Sequence, residues 1–82
     1  MITNENISEI LKNLTTETIH DVIHDDGDYI KLWVNIFNSG FTVDLSSHDY
    51  DDDIEEECNN NGMMFIDKSD FMMLLDDNDI IY

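Results

Sequence analysis

No arginine and no proline occur in this 82-residue chain, and lysine occurs only at Lys12, Lys31 and Lys68. Without a basic patch, nothing can neutralise phosphates, so direct binding of DNA, RNA or an anionic lipid surface is disfavoured. The single cysteine, Cys58, cannot form an internal disulfide and fits a reducing compartment. The opening Met-Ile-Thr-Asn-Glu-Asn lacks the basic and apolar regions of a secretory leader. No apolar run approaches the ~18 residues of a membrane span. These absences lead to the expectation of a soluble, cytoplasmic protein. Enzyme signatures are missing too: no Gly-rich phosphate loop, no Gly-x-Ser-x-Gly, no His-Glu-x-x-His. A chain this short leaves little room for a sheltered pocket that shifts carboxylate pKa values. The expectation is a protein without catalytic activity and without a cofactor.

What is present is acid. Twenty Asp and Glu give a net charge of -17, far beyond the roughly 2 to 8 that suits a small soluble domain. Such a surface favours basic partners, including the nucleic-acid grooves of other proteins. Hydrophobic residues still make up 41% of the chain, with one Trp, four Phe and three Tyr, enough to expect a folded chain rather than a disordered one. The length fits one domain, 1–82.

The acids concentrate between Asp49 and Glu57, where Asp49, Asp51, Asp52, Asp53, Glu55, Glu56 and Glu57 fill seven of nine positions. As a helix this stretch rises only ~13 Å, one charge per ~2 Å, close to the one per ~1.7 Å of duplex DNA. Extended, it carries one charge per ~4 Å. Asp44 lies just upstream, and Asp76 and Asp77 form a second, shorter cluster. These ten acids are the candidate partner-binding residues.

Along the chain, Ile7, Ile10, Leu11 and Leu14 mark an amphipathic helix over 4–14, with Thr3 or Asn4 as cap. Residues 15–25 fit a helical face through Ile19, Val22 and Ile23. Their β-branched run (Thr15, Thr16, Thr18, Ile19, Val22, Ile23) and the turn Asp25-Asp26-Gly27-Asp28, with Gly27 free to take a positive φ, favour a strand. Tyr29 to Phe37 alternates: Ile30, Leu32, Val34 and Ile36 on one face, Tyr29, Lys31, Trp33, Asn35 and Phe37 on the other. Both faces are largely apolar, so this strand is expected to be central, with Trp33 packed under the acidic segment or a terminal element. Asn38-Ser39-Gly40, with Gly40 in the left-handed region, turns into a return strand through Phe41, Val43 and Leu45. The first forty-five residues thus read as a helix and a three-stranded meander, an α+β fold.

After Ser46-Ser47, a possible cap, Tyr50, Ile54 and Cys58 fall on one helical stripe that ends at Asn59-Asn60-Asn61-Gly62. A hairpin turning at Asn61-Gly62 is the alternative. Met63 to Ile66 reads as a short strand. Residues 69–75 read as helix, with Ser69 as cap, or as strand. Asp76-Asp77-Asn78-Asp79 reads as an acidic turn, and Ile80-Ile81-Tyr82 as an end docked on the core. The pairs Met63-Met64 and Met72-Met73 fit core filling better than an adaptable surface.

Metal motifs fail on spacing. A calcium loop beginning at Asp49 has Ile54 where glycine is required and Asn60 where glutamate is required. His20 and His24 with Asp21 or Asp25 lack a fourth ligand at motif spacing. No metal site is expected.

Small size, extreme acidity, absent arginine, the run Asp49–Glu57 and the helix-then-sheet order resemble the acidic DNA-mimic inhibitors of phages and mobile elements. These are anti-CRISPR proteins first, then antirestriction proteins and inhibitors of uracil-DNA glycosylase. One group of CRISPR-nuclease inhibitors joins a helix, a three-stranded meander and acidic C-terminal helices, and residues 4–60 are similar to that plan. The resemblance implies a non-enzymatic inhibitor that occupies the basic groove of a DNA-binding protein or nuclease, a CRISPR effector first. An immunity protein or antitoxin against a basic nuclease toxin is the alternative, and an acidic adaptor with a basic peptide partner is a third.

Overall fold

The computed structural model describes residues 2–3 and 5–82. The chain is an α+β fold in the order α1 (Ile7–Lys12), α2 (Thr16–Ile23), β1 (Tyr29–Phe37), β2 (Gly40–His48), α3 (Asp52–Asn61), β3 (Met64–Asp67) and α4 (Lys68–Asp77). The sheet is antiparallel in the order β2-β1-β3.

The first helix is shorter than its periodicity suggests. Thr3 forms a turn ahead of it, with the Ile7 amide donating to the Thr3 carbonyl at 3.0 Å and the Thr3 amide donating to Asn6 Oδ1 at 2.7 Å. Asn6 is the N-cap, not Thr3. The other expected cap, Asn4, lies outside the described residues.

The main correction concerns residues 15–25, which are helix α2 rather than a strand. Thr15 sits in extended backbone (φ -83°, ψ 152°), and its Oγ1 accepts from the Thr18 amide at 3.1 Å. That cap satisfies an otherwise orphaned donor, and Ile19, Val22 and Ile23 then reach the core together. Burial on a helical stripe outweighs the strand propensity of the β-branched residues. His20 on the helix and His24 at its C-cap are therefore exposed and one turn apart, ring centroids 4.2 Å from each other.

The meander is overturned with it. The third strand is β3, from the far side of α3, and it pairs with β1 from Tyr29↔Asp67 to Leu32↔Met64. The expectation that β1 is central holds. Its return partner β2 runs three residues beyond Leu45, to His48, in register from Phe37↔Gly40 to Tyr29↔His48. Ser46 and Ser47 thus belong to a strand rather than a cap.

Gly27 also differs from expectation. Its role is close approach: a β-carbon there would stand 2.5 Å from the His48 amide nitrogen and 2.4 Å from Ser47 Oγ. Among the glycines, positive φ occurs instead at Gly40 (144°) and Gly62 (69°), and of these two Gly62 is left-handed helical. Gly62 ends α3 while the Met63 amide donates to the Cys58 carbonyl at 2.9 Å.

One face of the sheet carries the core: Ile10, Leu11, Ile19, Val22, Ile30, Leu32, Phe71 and Leu75. Helices α1, α2 and α4 supply this layer. Asp67, not Ser69, caps α4, accepting from the Ser69 amide at 2.8 Å. Of the terminal residues, Ile80 packs on the core, whereas Ile81 and Tyr82 are exposed. Met64 fills the core's edge, as expected of a gap-filler, while Met73 faces solvent.

Candidate functional site

The acidic helix flanks the second face of the sheet, opposite the core. Asp51 starts it: in extended backbone (φ -149°, ψ 123°), its Oδ1 accepts from the Asp53 amide at 2.8 Å and the Ile54 amide at 3.3 Å. Asp52, Asp53 and Glu55 occupy the first turn, where the helix dipole favours anions. The helix continues to Asn61, so Glu56 and Glu57 stay clear of its last turn, which carries no charge.

One stripe holds α3 to the body. Cys58 is fully buried and Ile54 half-buried; burial pushes the Cys58 thiol pKa up. Tyr50, expected on the same stripe, instead precedes the helix. Its ring packs on Tyr29 (centroids 5.1 Å) and Phe65 (6.4 Å), which stack on each other at 5.0 Å. Its hydroxyl donates to Asp52 Oδ1 at 2.6 Å. Hydrogen bonds to Asp52 and Glu55 raise the phenol's pKa well above the usual tyrosine range. This aromatic cluster anchors the start of the acidic segment and was not singled out in the sequence. The signal was there, since Tyr29 and Phe65 sit on the non-core face of their strands.

Asp49, Asp51, Asp52, Asp53, Glu56 and Glu57 are exposed and Glu55 is half-buried, so all seven acids reach solvent. Lys31, at the sheet centre, meets it: Nζ lies 3.7 Å from Glu57 Oε1 and 5.3 Å from the Trp33 ring centroid. Lys68 is turned elsewhere, donating to the Asp25 carbonyl at 2.7 Å. Trp33 is half-buried, beneath the Lys31 ammonium. Asp44 is exposed opposite Trp33 on β2 and accepts from Asn35 Nδ2.

The structure does not bring the second acidic cluster to this surface. Asp76 and Asp77 end α4, whose Phe71 and Leu75 pack into the core on the other face of the sheet. Asp76 also accepts from the Tyr82 hydroxyl at 3.4 Å. Among the described residues, no three His, Cys, Asp or Glu converge in a way that holds a metal ion. No helix among them is long and apolar enough to cross a membrane.

No protein-family model, no curated protein and no solved structure matches this chain.

Proposed function

We propose that this protein is a non-enzymatic inhibitor, acting in the host cytoplasm, that presents α3 as a substitute for a DNA backbone. It occupies the basic nucleic-acid groove of a defence nuclease, with a CRISPR effector as the first target class. The observation that supports this most is the acidic segment itself: Asp49 and the cap Asp51 lead into α3, whose first six residues carry Asp52, Asp53, Glu55, Glu56 and Glu57, with Lys31–Glu57 as the one ion pair among the described residues. A helix spaces its acids by ~1.5 Å of rise per residue, giving a charge density that a phosphate-binding groove is built to receive. The run lies on a rigid support, because Cys58, Ile54 and the Tyr29–Tyr50–Phe65 cluster hold both its ends. Asp44 extends the surface across the sheet, whereas Asp76 and Asp77, on the opposite side, are outside the main contact.

The test is inhibition with competition. Target-DNA cleavage by a panel of purified, RNA-guided CRISPR nucleases is measured with increasing amounts of this protein. The proposal expects one nuclease to lose activity and to recover it as target duplex is added in excess. Full cleavage across the panel would count against the target class. Inhibition with DNA and this protein bound to the nuclease together would overturn the mimicry.

A further inference from the structure

The folding of residues 15–25 as helix α2 brings His20 and His24 together. Four residues of extended strand would hold their Cα atoms about 13 Å apart. On a helix, positions four apart are neighbours on one face, and the two ring centroids lie 4.2 Å from each other with the rings tilted by 48°. Ile19 and Val22 tie α2 to the core, and both histidines stay exposed on this anchored helix.

Imidazole nitrogen is a ligand that Cu(II), Ni(II) and Zn(II) share. At a metal–nitrogen distance of about 2.0–2.1 Å, two imidazoles on adjacent corners of one ion have ring centres about 4.5 Å apart at a right angle and about 5 Å apart at the tetrahedral angle. The observed 4.2 Å is nearer the right angle, the geometry of the square-planar and tetragonal sites of Cu(II) and Ni(II). The place on the helix favours a cation as well. His24 is the C-cap of α2, where the helix dipole is negative. Glu17 and Asp21 on α2, and Asp25 and Asp26 directly after it, are all exposed.

We propose that His20 and His24 form a two-imidazole chelate for a divalent transition metal, Cu(II) or Ni(II) first. No group of three His, Cys, Asp or Glu converges among the described residues, so water fills the remaining positions and the ion is exchangeable. The expectation of no metal site followed from four-ligand spacing, which a pair of ligands on a helix face does not need. The chelate also differs from diffuse attraction of cations to a surface of net charge -17. Calcium and magnesium take oxygen ligands, and imidazole selects against them. Because the two rings meet only when α2 is folded, binding stabilises the fold. The site does not depend on the reading of α3.

Calorimetric titration of the full chain with Ni(II), in excess magnesium to occupy the carboxylates, tests the proposal. The expected result is one ion per chain, with a higher melting temperature in its presence. Removing even a hydrogen-bond partner of a ligand costs about 10–100-fold in affinity, so His20→Gln and His24→Gln should each weaken binding at least about tenfold. Both positions are exposed, and the melting temperature without metal should stay unchanged. His48→Gln is the control, since that ring is engaged by Ser46 on β2, and it should bind as the wild type does. Paramagnetic broadening of NMR signals by Cu(II) should centre on α2. Absence of a stoichiometric ion, an affinity that survives either α2 substitution, an equal loss in His48→Gln, or broadening centred on Asp49–Glu57 would each overturn the chelate and leave the reading of α3 untouched.

Discussion

Lys31 Nζ stands 3.7 Å from Glu57 Oε1, so one of the three cations in the chain is joined to the acidic helix. The two partners are not equivalent. The Lys31 side chain is 19% exposed and that of Glu57 is 57% exposed. Lys31 also lies over Trp33 and beneath a strongly negative surface, whereas Glu57 closes a run of three glutamates and is followed by Cys58. Exposed ion pairs are worth about 0–1 kcal/mol. Glu57→Gln is therefore expected to change stability by less than about 0.5 kcal/mol. Lys31→Met, which keeps the stem and removes the charge, should cost about 1 kcal/mol through the ring contact and the uncompensated acids. Urea unfolding of both variants checks this; equal losses would mean that the ion pair alone carries the effect.

Gly27 makes a second prediction. A methyl group there meets backbone atoms of His48, which cannot swing aside as a side-chain tip does. Gly27→Ala is expected to destabilise by about 1–3 kcal/mol and to loosen the end of β2. Amide exchange at Ser47 and His48 and the melting temperature report it. A variant as stable as the wild type would show that this approach is not tight in solution.

How much of this was legible beforehand depended on whether a signal was local. The alternation in Tyr29–Phe37 is a period-two pattern over nine residues, and β1 has those bounds, although burial alternates only from Tyr29 to Trp33 and Ile36 and Phe37 at the tip are exposed. The acidic helix and its stop at Gly62 rest on neighbouring residues and were readable too. Residues 15–25 were not, because strand propensity and a helical stripe coexist there, and what decides is burial of Ile19 and Val22 in a core that also takes Phe71 and Leu75 of α4, about fifty residues away. The third strand was lost with that choice. The composition of the site was evident, but its limits were not: only the fold separates Asp76 and Asp77 from Asp49–Glu57.

Asp79 occupies the left-handed region at φ 57°, where α4 closes: its amide donates to the Asp76 carbonyl at 3.1 Å, and the Ile80 amide to the Leu75 carbonyl at 2.9 Å. This position favours glycine, and an acid just past a helix C-terminus opposes the dipole. Asp79→Gly should raise stability by about 0.5–1 kcal/mol, and Asp79→Asn, which removes only the charge, by a few tenths. Thermal unfolding distinguishes them; a destabilised Asp79→Gly would contradict the closing geometry.

Asp67 sets a pH dependence. Its carboxylate accepts from the Ser69 hydroxyl and the Ser69 amide, and these bonds lower its pKa below the ordinary value of 3.8. A depressed folded pKa stabilises the fold above the unfolded value. That contribution is lost as pH falls from just above 3.8 through the folded pKa. Asp67→Asn keeps a capping oxygen without the charge. Relative to wild type, it should be less stable at neutral pH, with the difference closing below pH 3.8. A difference that persists unchanged into acid would remove charge from the explanation.

The central claim is that the acids of α3 act together as a surrogate backbone. Asp52 is engaged by Tyr50, so the cleaner probes are Asp53 and Glu56, exposed and one turn apart on α3. The decisive measurement is the association rate with the inhibited nuclease across a salt series, for wild type and for the double variant Asp53→Lys with Glu56→Lys. Electrostatic steering acts chiefly on the on-rate and weakens with ionic strength. The wild-type rate should fall steeply with salt. The variant should bind at least about tenfold more weakly, with a flatter salt slope and an unchanged or higher melting temperature. A variant that associates at the wild-type rate and inhibits fully at physiological salt would contradict the account.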